Sequence, residues 1–315
     1  GRHPRLRCHY KNIPHKVRRI FRVAGYGDHY TFGVHNNSAQ NLERGLVERV
    51  FYVKNEDGDL VPCPEPTKGI WRRLNKYRKT LVSHVSPVHK ISRQKFLSYY
   101  SGARLSMYQK AVDSLSERPV CERDSMLKTF VKAEKINLTK KPDAVPRVIQ
   151  PRSPRYNVEL GRYLRHIEHK LYESIDHMWG GKTIMKGMSV EQMGSEICSK
   201  WNNIPNPIAI GFDASRFDQH VSVGALRFEH SIYKALYHYD AELVQLLEWQ
   251  IHNKGTGYAS DGYFNYTVDG KRMSGDMNTS LGNCLLSCLI MKDFVDKHHL
   301  EAKLINNGDD NVLIC

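Results

Sequence analysis

Two short apolar runs, residues 302–306 and 311–315, stand on either side of Asn307-Gly308-Asp309-Asp310. Short runs of this kind around a turn containing glycine predict a hairpin, and its tip carries two adjacent carboxylates. A third apolar run, 207–212, predicts a short buried strand that ends on Asp213. Taken singly, each feature is weak. Most Gly-Asp-Asp triplets are plain turns, and an aspartate after a strand is often a surface residue or a helix cap. Taken together they restrict the fold, because one sheet containing both strand and hairpin would bring Asp213 and Asp309 to one point.

Converging carboxylates suit the joining of a phosphate to a ribose hydroxyl. That reaction uses two hard cations roughly 3.5–4 Å apart, held by carboxylates and substrate oxygens. Asp213 and Asp309 are the expected metal ligands and catalytic residues, with Asp310 secondary. Between them lies Ser274-Gly275-Asp276-Met277-Asn278-Thr279-Ser280-Leu281-Gly282-Asn283. Periodicity predicts one long helix over 277–298, on which Thr279 and Asn283, four positions apart, share a face. Ser274 and Gly275 form the loop before it, where backbone can approach a template or nucleotide closely. Asn283 is suited to bind both a ribose hydroxyl and Asp218, so the pair would sense the 2′-OH that separates RNA from DNA.

The charge agrees with a phosphate-bearing partner. The 315 residues carry 47 Lys and Arg against 33 Asp and Glu, a net +14, and proteins this basic commonly meet nucleic acid. The cations are clustered. Residues 1–27 hold Arg2, Arg5, Arg7, Lys11, Lys16, Arg18, Arg19 and Arg22 with no acid, and 128–155 hold eight more against Glu134 and Asp143. Seven scattered cysteines form no disulfide framework. Cys284 and Cys288, with His298 and His299 beyond, fit no common zinc spacing and read better as small residues on a buried helix face. No apolar run reaches 18 residues, so no membrane span is expected, and no signal peptide is apparent. With no Met at position 1 and an apolar run at the close, the chain reads as a piece of a longer protein.

Elsewhere, the chain from Gly25 turns helical, with Leu42, Leu46 and Val50 at four-residue spacing. Residues 61–67 are a linker candidate, and 86–118 read as mostly helical. Pro142, Pro146, Pro151 and Pro154 exclude a helix over 130–154. One helix should then carry Leu160, Leu164, Ile167 and Leu171. Two helices divided near Asp240 should fill 223–252, and a hairpin turning at Asp269-Gly270 should fill 258–272.

The segments Gly-Phe-Asp-Ala-Ser-Arg-Phe-Asp-Gln-His (211–220), Ser-Gly-Asp-Met-Asn-Thr-Ser-Leu-Gly-Asn (274–283) and Asn-Gly-Asp-Asp-Asn (307–311) resemble motifs A, B and C of positive-strand RNA virus polymerases. Their wording is similar to that of tombusvirus-like plant virus replicases. So are Phe32-Gly-Val-His-Asn-Asn-Ser38, Arg44-Gly-Leu-Val-Glu-Arg49, and Pro146-Arg-Val-Ile-Gln-Pro-Arg152 with Tyr156-Asn157, so the resemblance covers nearly the whole chain. It implies an α+β right-hand polymerase fold: a palm with a small antiparallel sheet backed by helices, largely helical fingers, and a thumb that would follow Cys315 with motifs D and E. The implied division is 1–85 N-terminal extension and fingertips, 86–200 fingers with motif F, 201–225 palm, 226–272 fingers insertion and 273–315 palm.

The resemblance further implies Mg²⁺, with Mn²⁺ as substitute, and RNA and ribonucleoside triphosphates as partners. Other replicase proteins, and host membrane-associated complexes in the cytoplasm, are implied as well. Lys132, Lys135, Lys141 and Arg147 resemble motif F, which grips the triphosphate, Arg147 foremost because a guanidinium binds phosphate bidentately. Arg152 and Arg155 are expected to bind RNA, whereas Ser215 and Arg216 are assigned no catalytic role. A non-catalytic RNA-binding module is the rival reading, supported by charge and 17 Tyr, but it leaves the acidic positions without a purpose. A reverse transcriptase or nuclease shares the two-metal logic, yet Ser274, Thr279 and Asn283 beside Asp218 favour ribonucleotide selection. Gly181-Lys182-Thr183 suggests an ATPase loop, but Asp176 stands where that loop requires glycine.

Overall fold

The computed structural model describes residues 3–21 and 29–315; Arg2, Arg22 and Gly25 lie outside the described residues. Its largest sheet has five strands in the order β1 (Leu6–Tyr10), β10 (Gly262–Asp269), β9 (His252–Ala259), β5 (Leu127–Val131) and β7 (Val148–Ile149). Neighbours are antiparallel except β5 and β9. Two short pairs flank it: β2 (Phe32–Gly33) with β6 (Ile136–Asn137), and β3 (Tyr52–Lys54) with β4 (Leu60–Pro62). The second main sheet is antiparallel throughout, in the order β11 (Lys303–Asn307), β12 (Asp310–Ile314) and β8 (Ala209–Asp213).

Helix α1 (Ala39–Leu46) begins on Ser38, whose hydroxyl accepts from the Asn41 amide, and runs into a π-helical turn, Val47–Phe51. Leu42, Leu46 and Val50 do form one buried stripe, packed with Leu127, Phe264 and Tyr266 of the five-stranded sheet. The extended region 86–118 holds α3 (Arg93–Leu97) and α4 (Gly102–Glu117), which pack on α5 (Pro154–Leu164). The expected single helix through Leu171 divides in two, since α6 spans Glu168–Met178. All four of its marked leucines and isoleucine are nonetheless buried.

The largest core joins α2 (Ile70–Val85), α5, α6, α9 (Val223–Leu236), α10 (Ala241–Glu248) and α11 (Thr279–Lys297). Leu281, Cys284, Leu285, Cys288 and Leu289 of α11 are all 2% exposed or less, and each buried leucine contributes roughly 1.5–3 kcal/mol. The cysteines are thus core residues, as the zinc-free reading requires. Asp240 caps α10 by accepting from the Leu243 amide. Helices α7 (Val190–Asn202) and α8 (Phe217–His220) complete the set. Among described residues no helix is long and apolar enough to cross a membrane.

Two expectations need correction. The hairpin over 258–272 turns at Ser260 and Asp261, because β9 and β10 pair as far as Ala259 with Gly262; Asp269-Gly270 instead ends β10. Strand β8 is not buried: all five residues are exposed, since it is the sheet's edge and an apolar run does not reveal whether a second layer covers it. Helix α2 shares a core with α11, and β1 is a neighbour of β10.

Candidate active site

Strand β8 lies antiparallel to β12 with Asp213 opposite Asp310, which sets Asp309 at the hairpin tip beside Asp213. Both Asp213 and Asp309 line one cleft of about 370 Å³. As the register partner of Asp213, Asp310 shares its face of the sheet, and the two border a second, more apolar hollow with Phe212, Ile305 and Val312. Asp213 thus lines both, whereas Asp310 is absent from the cleft lining.

Buried asparagines fix the hairpin tip. Asn306, fully buried, donates to the Gly308 carbonyl at 2.8 Å and to Asn311 Oδ1 at 2.9 Å. Asn311 Nδ2 donates to the Asp309 carbonyl at 3.1 Å and to Ser287 Oγ on α11. One turn earlier on that helix, Asn283 Nδ2 donates to Asp218 Oδ1 at 2.9 Å. A single helix face thus holds both the hairpin tip and Asp218. Burial pushes the Asp218 carboxyl above its ordinary range. The Asn283 hydrogen bond and Arg272 pull it back, while the negative charge of Asp309 adds to the rise. The two carboxyls are near enough to repel.

Cations share the lining of this cleft. Arg147, immediately before β7, and Lys141 line the cleft, as do Arg49, Arg216 and Lys271. Arg49 donates to the Val145 carbonyl at 3.1 and 3.3 Å. Burial lowers its pKa, and the charges of Arg216 and Arg147 lower it further. This is a set of guanidiniums held close against their mutual repulsion, which an anion would relieve. Arg44 supports this lining by a bidentate contact with Asp143 at 2.7 and 2.9 Å, tying α1 to the loop that carries Lys141. Arg49 and Arg216 were missed from sequence. Both sit in quoted segments, but nothing in their spacing reveals that they meet.

The remaining expected residues separate into three groups. Ser274 lines the cleft, its hydroxyl accepting from the Gln150 amide at 3.4 Å. Gly275 has a packing reason: a Cβ there would lie 2.6 Å from Pro151 Cα. Thr279 donates to the Met273 carbonyl at 2.6 Å and so shapes the loop. Lys132 pairs with Glu134 at 3.3 Å, and Lys135 lies over the Phe32 ring at 4.2 Å; neither lines the cleft.

Arg152 and Arg155 are corrected outright, being 4% and 8% exposed. Arg155 is spent on Asp124, Ser114 and the carbonyls of Arg118 and Pro119. Arg152 is spent on Asp276, Asn253 and the Ser125 carbonyl. Both guanidiniums are buried among protein acceptors and are not presented at a surface for RNA. Lys182 of the rejected ATPase motif pairs with Asp176 at 3.1 Å.

The donor set fits hard divalent cations. Among the described residues no three His, Cys, Asp or Glu side chains gather at metal-ligand spacing. Two aspartates on a polar cleft leave the other positions to substrate oxygens and water, as Mg²⁺ prefers. Two aspartates and a set of cations thus line one cleft, together with Asp218, which Asn283 holds. Comparison with known proteins agrees. The family model described as viral RNA dependent RNA polymerase matches residues 6–315, and the chain belongs to that family. The whole chain aligns at 65% identity with the RNA-directed RNA polymerase of maize chlorotic mottle virus and at 64% with that of Panicum mosaic virus. With that of turnip crinkle virus, 99% of the chain aligns at 54% identity. It spans 33%, 32% and 40% of these relatives' lengths respectively.

Proposed function

We propose that this chain is the fingers-and-palm portion of a right-hand RNA polymerase that joins ribonucleotides on an RNA template by a two-metal mechanism. The observation that carries the reading is the meeting of Asp213 and Asp309 at adjoining strand ends, on a cleft also lined by several cations. Sheet β8-β11-β12 backed by α11 would be the palm. Asp213 and Asp309 would hold Mg²⁺, which when bound activates the attacking 3′-oxygen and steadies the leaving pyrophosphate.

This chain's own residues do the rest. Arg147, Lys141, Arg49 and Arg216 neutralise and orient the triphosphate. Asp218, kept in place by Asn283, meets the ribose, and Ser274 offers a hydroxyl at the cleft's edge. Template RNA, replicase partners and a membrane-associated cytoplasmic setting belong to the same proposal.

The test uses the full-length polymerase carrying Asp213→Asn or Asp309→Asn. RNA-templated incorporation in Mg²⁺ should fall by at least about 10³-fold, as for loss of a major charge-stabilising group, while RNA affinity persists. Near-normal incorporation would sink the assignment. RNA binding without incorporation in the parent protein as well would favour the non-catalytic module.

A further inference from the structure

Which way the Asn283 amide faces decides what it offers Asp218, since its oxygen accepts and its nitrogen donates. Arg272 makes that choice. Its Nε donates to Asn283 Oδ1 at 2.8 Å, which turns the Asn283 nitrogen toward Asp218. The Arg272 backbone N–H also donates to the Asp218 carbonyl at 2.8 Å. One arginine therefore holds the main chain of Asp218 and the side chain of its partner.

Behind Arg272 stands Glu229 of α9, which accepts from Arg272 Nη2 at 2.6 Å. Glu229 is 0% exposed and outside the cleft lining. Its carboxylate also accepts from Asn278 at 2.9 Å and from the Tyr233 hydroxyl at 2.7 Å. Gln250 joins Asn278 to His230. Burial opposes both charges of the pair, yet each keeps the other ionised: Arg272 holds Glu229 below the usual carboxylate range. Gly282 leaves the room required, because a Cβ there would lie 2.3 Å from both Arg272 Nη2 and Glu229 Oε1. A buried ion pair is a poor means of stabilising a core compared with apolar packing, so this one invites a role in specificity.

We propose that the Arg272–Glu229 pair is a positioning device for sugar selection, locking the Asn283 amide so that Asp218 is presented to the 2′-hydroxyl in one orientation. The inference rests on the reading of Asp218 and Asn283 as the sugar-contacting pair. With Arg272 removed, the amide is free to turn over and set an acceptor against an acceptor. The loss then falls on discrimination between ribose and deoxyribose.

The experiment measures single-nucleotide incorporation of a ribonucleotide and its 2′-deoxy counterpart by the full-length polymerase. Arg272→Lys and the isosteric Glu229→Gln are compared with the parent, with Asn283→Ala run alongside. Discrimination is a ratio taken on one enzyme population, so partial unfolding slows both reactions and leaves the ratio unchanged. Each core variant should lower the ribose preference roughly tenfold, the worth of one well-made buried hydrogen bond, mostly through kcat/KM for the ribonucleotide. If Asn283→Ala lowers the ratio and the core variants do not, the positioning role is overturned while the sugar-contact reading stands. If Asn283→Ala leaves the ratio at the parent value, the sugar-contact reading falls and the inference with it.

Discussion

Replacing Arg152 with alanine separates two roles that a basic residue near an RNA site can have. Its Nε donates to Asp276 Oδ1 at 2.6 Å and its Nη2 to Oδ2 at 3.3 Å. Nη1 reaches the Ser125 carbonyl at 2.8 Å and Nη2 reaches Asn253 Oδ1 at 2.7 Å. The side chains of the ion pair are 1% and 5% exposed. Arg152→Ala therefore strands a buried carboxylate and empties three further acceptors, the Trp249 carbonyl at 3.4 Å being the third. Breaking a buried pair from one side costs about 3–5 kcal/mol, which at about 2 °C per kcal/mol lowers the melting temperature by roughly 6–10 °C.

Thermal unfolding of the purified polymerase, followed by circular dichroism, reads the stability. Fluorescence anisotropy with labelled RNA, taken below the melting temperature across a salt series, reads binding. The expected outcome is a large fall in melting temperature with RNA affinity and its salt slope intact. Replacing both partners, as Arg152→Met with Asp276→Leu, should recover much of the loss, because no unpaired charge then remains. An unchanged melting temperature together with a salt slope reduced by about one would refute the structural role and restore Arg152 to the RNA surface.

Two further outcomes follow from the same geometry. Arg147→Ala should raise the apparent KM for nucleotides about tenfold to a hundredfold, the worth of a charge-assisted contact, while Lys135→Ala leaves it near the parent value; equal effects would mean that the cleft does not select among these cations. His230, fully buried between Glu229, Arg272 and Lys234, has its pKa lowered to about 4 from 6.5, burial being the main cause. The unfolded chain therefore binds the extra proton first as pH falls. The stability that this neutral histidine contributes is whole above pH 6.5 and drains away toward pH 4, by roughly 3 kcal/mol in all. Urea unfolding across that window should show the slope, and His230→Gln should flatten it; an identical slope in the variant would remove His230 as its source.

The local elements were legible because they depend on near neighbours in sequence. The β11–β12 hairpin, the division of two helices near Asp240, the α1 stripe and the long helix over Asn283 all follow from periodicity and turn chemistry. So does the convergence of Asp213 and Asp309, since strand ends and hairpin tips leave few other arrangements. Where the reading failed, the missing information was what packs against what. Nothing in Arg152 or Arg155 distinguishes a buried guanidinium from one facing RNA until Asp276 and Asp124 are brought alongside. The exposure of β8 has the same origin, because an apolar run states a tendency to be covered and does not supply the cover.

Sequence alone therefore determined the family, through the types, order and spacing of its carboxylates and polar side chains. Tertiary structure decided which cations line the cleft with those carboxylates: it added Arg49 and Arg216 and withdrew Lys132, Lys135, Arg152 and Arg155. It also revealed the chain from His230 through Gln250, Asn278, Glu229 and Arg272 to Asn283. The physical reason is that a charge's role depends on its distance from other charges and from water, and residues as remote as 49, 147 and 216 acquire those distances only when the chain closes on itself.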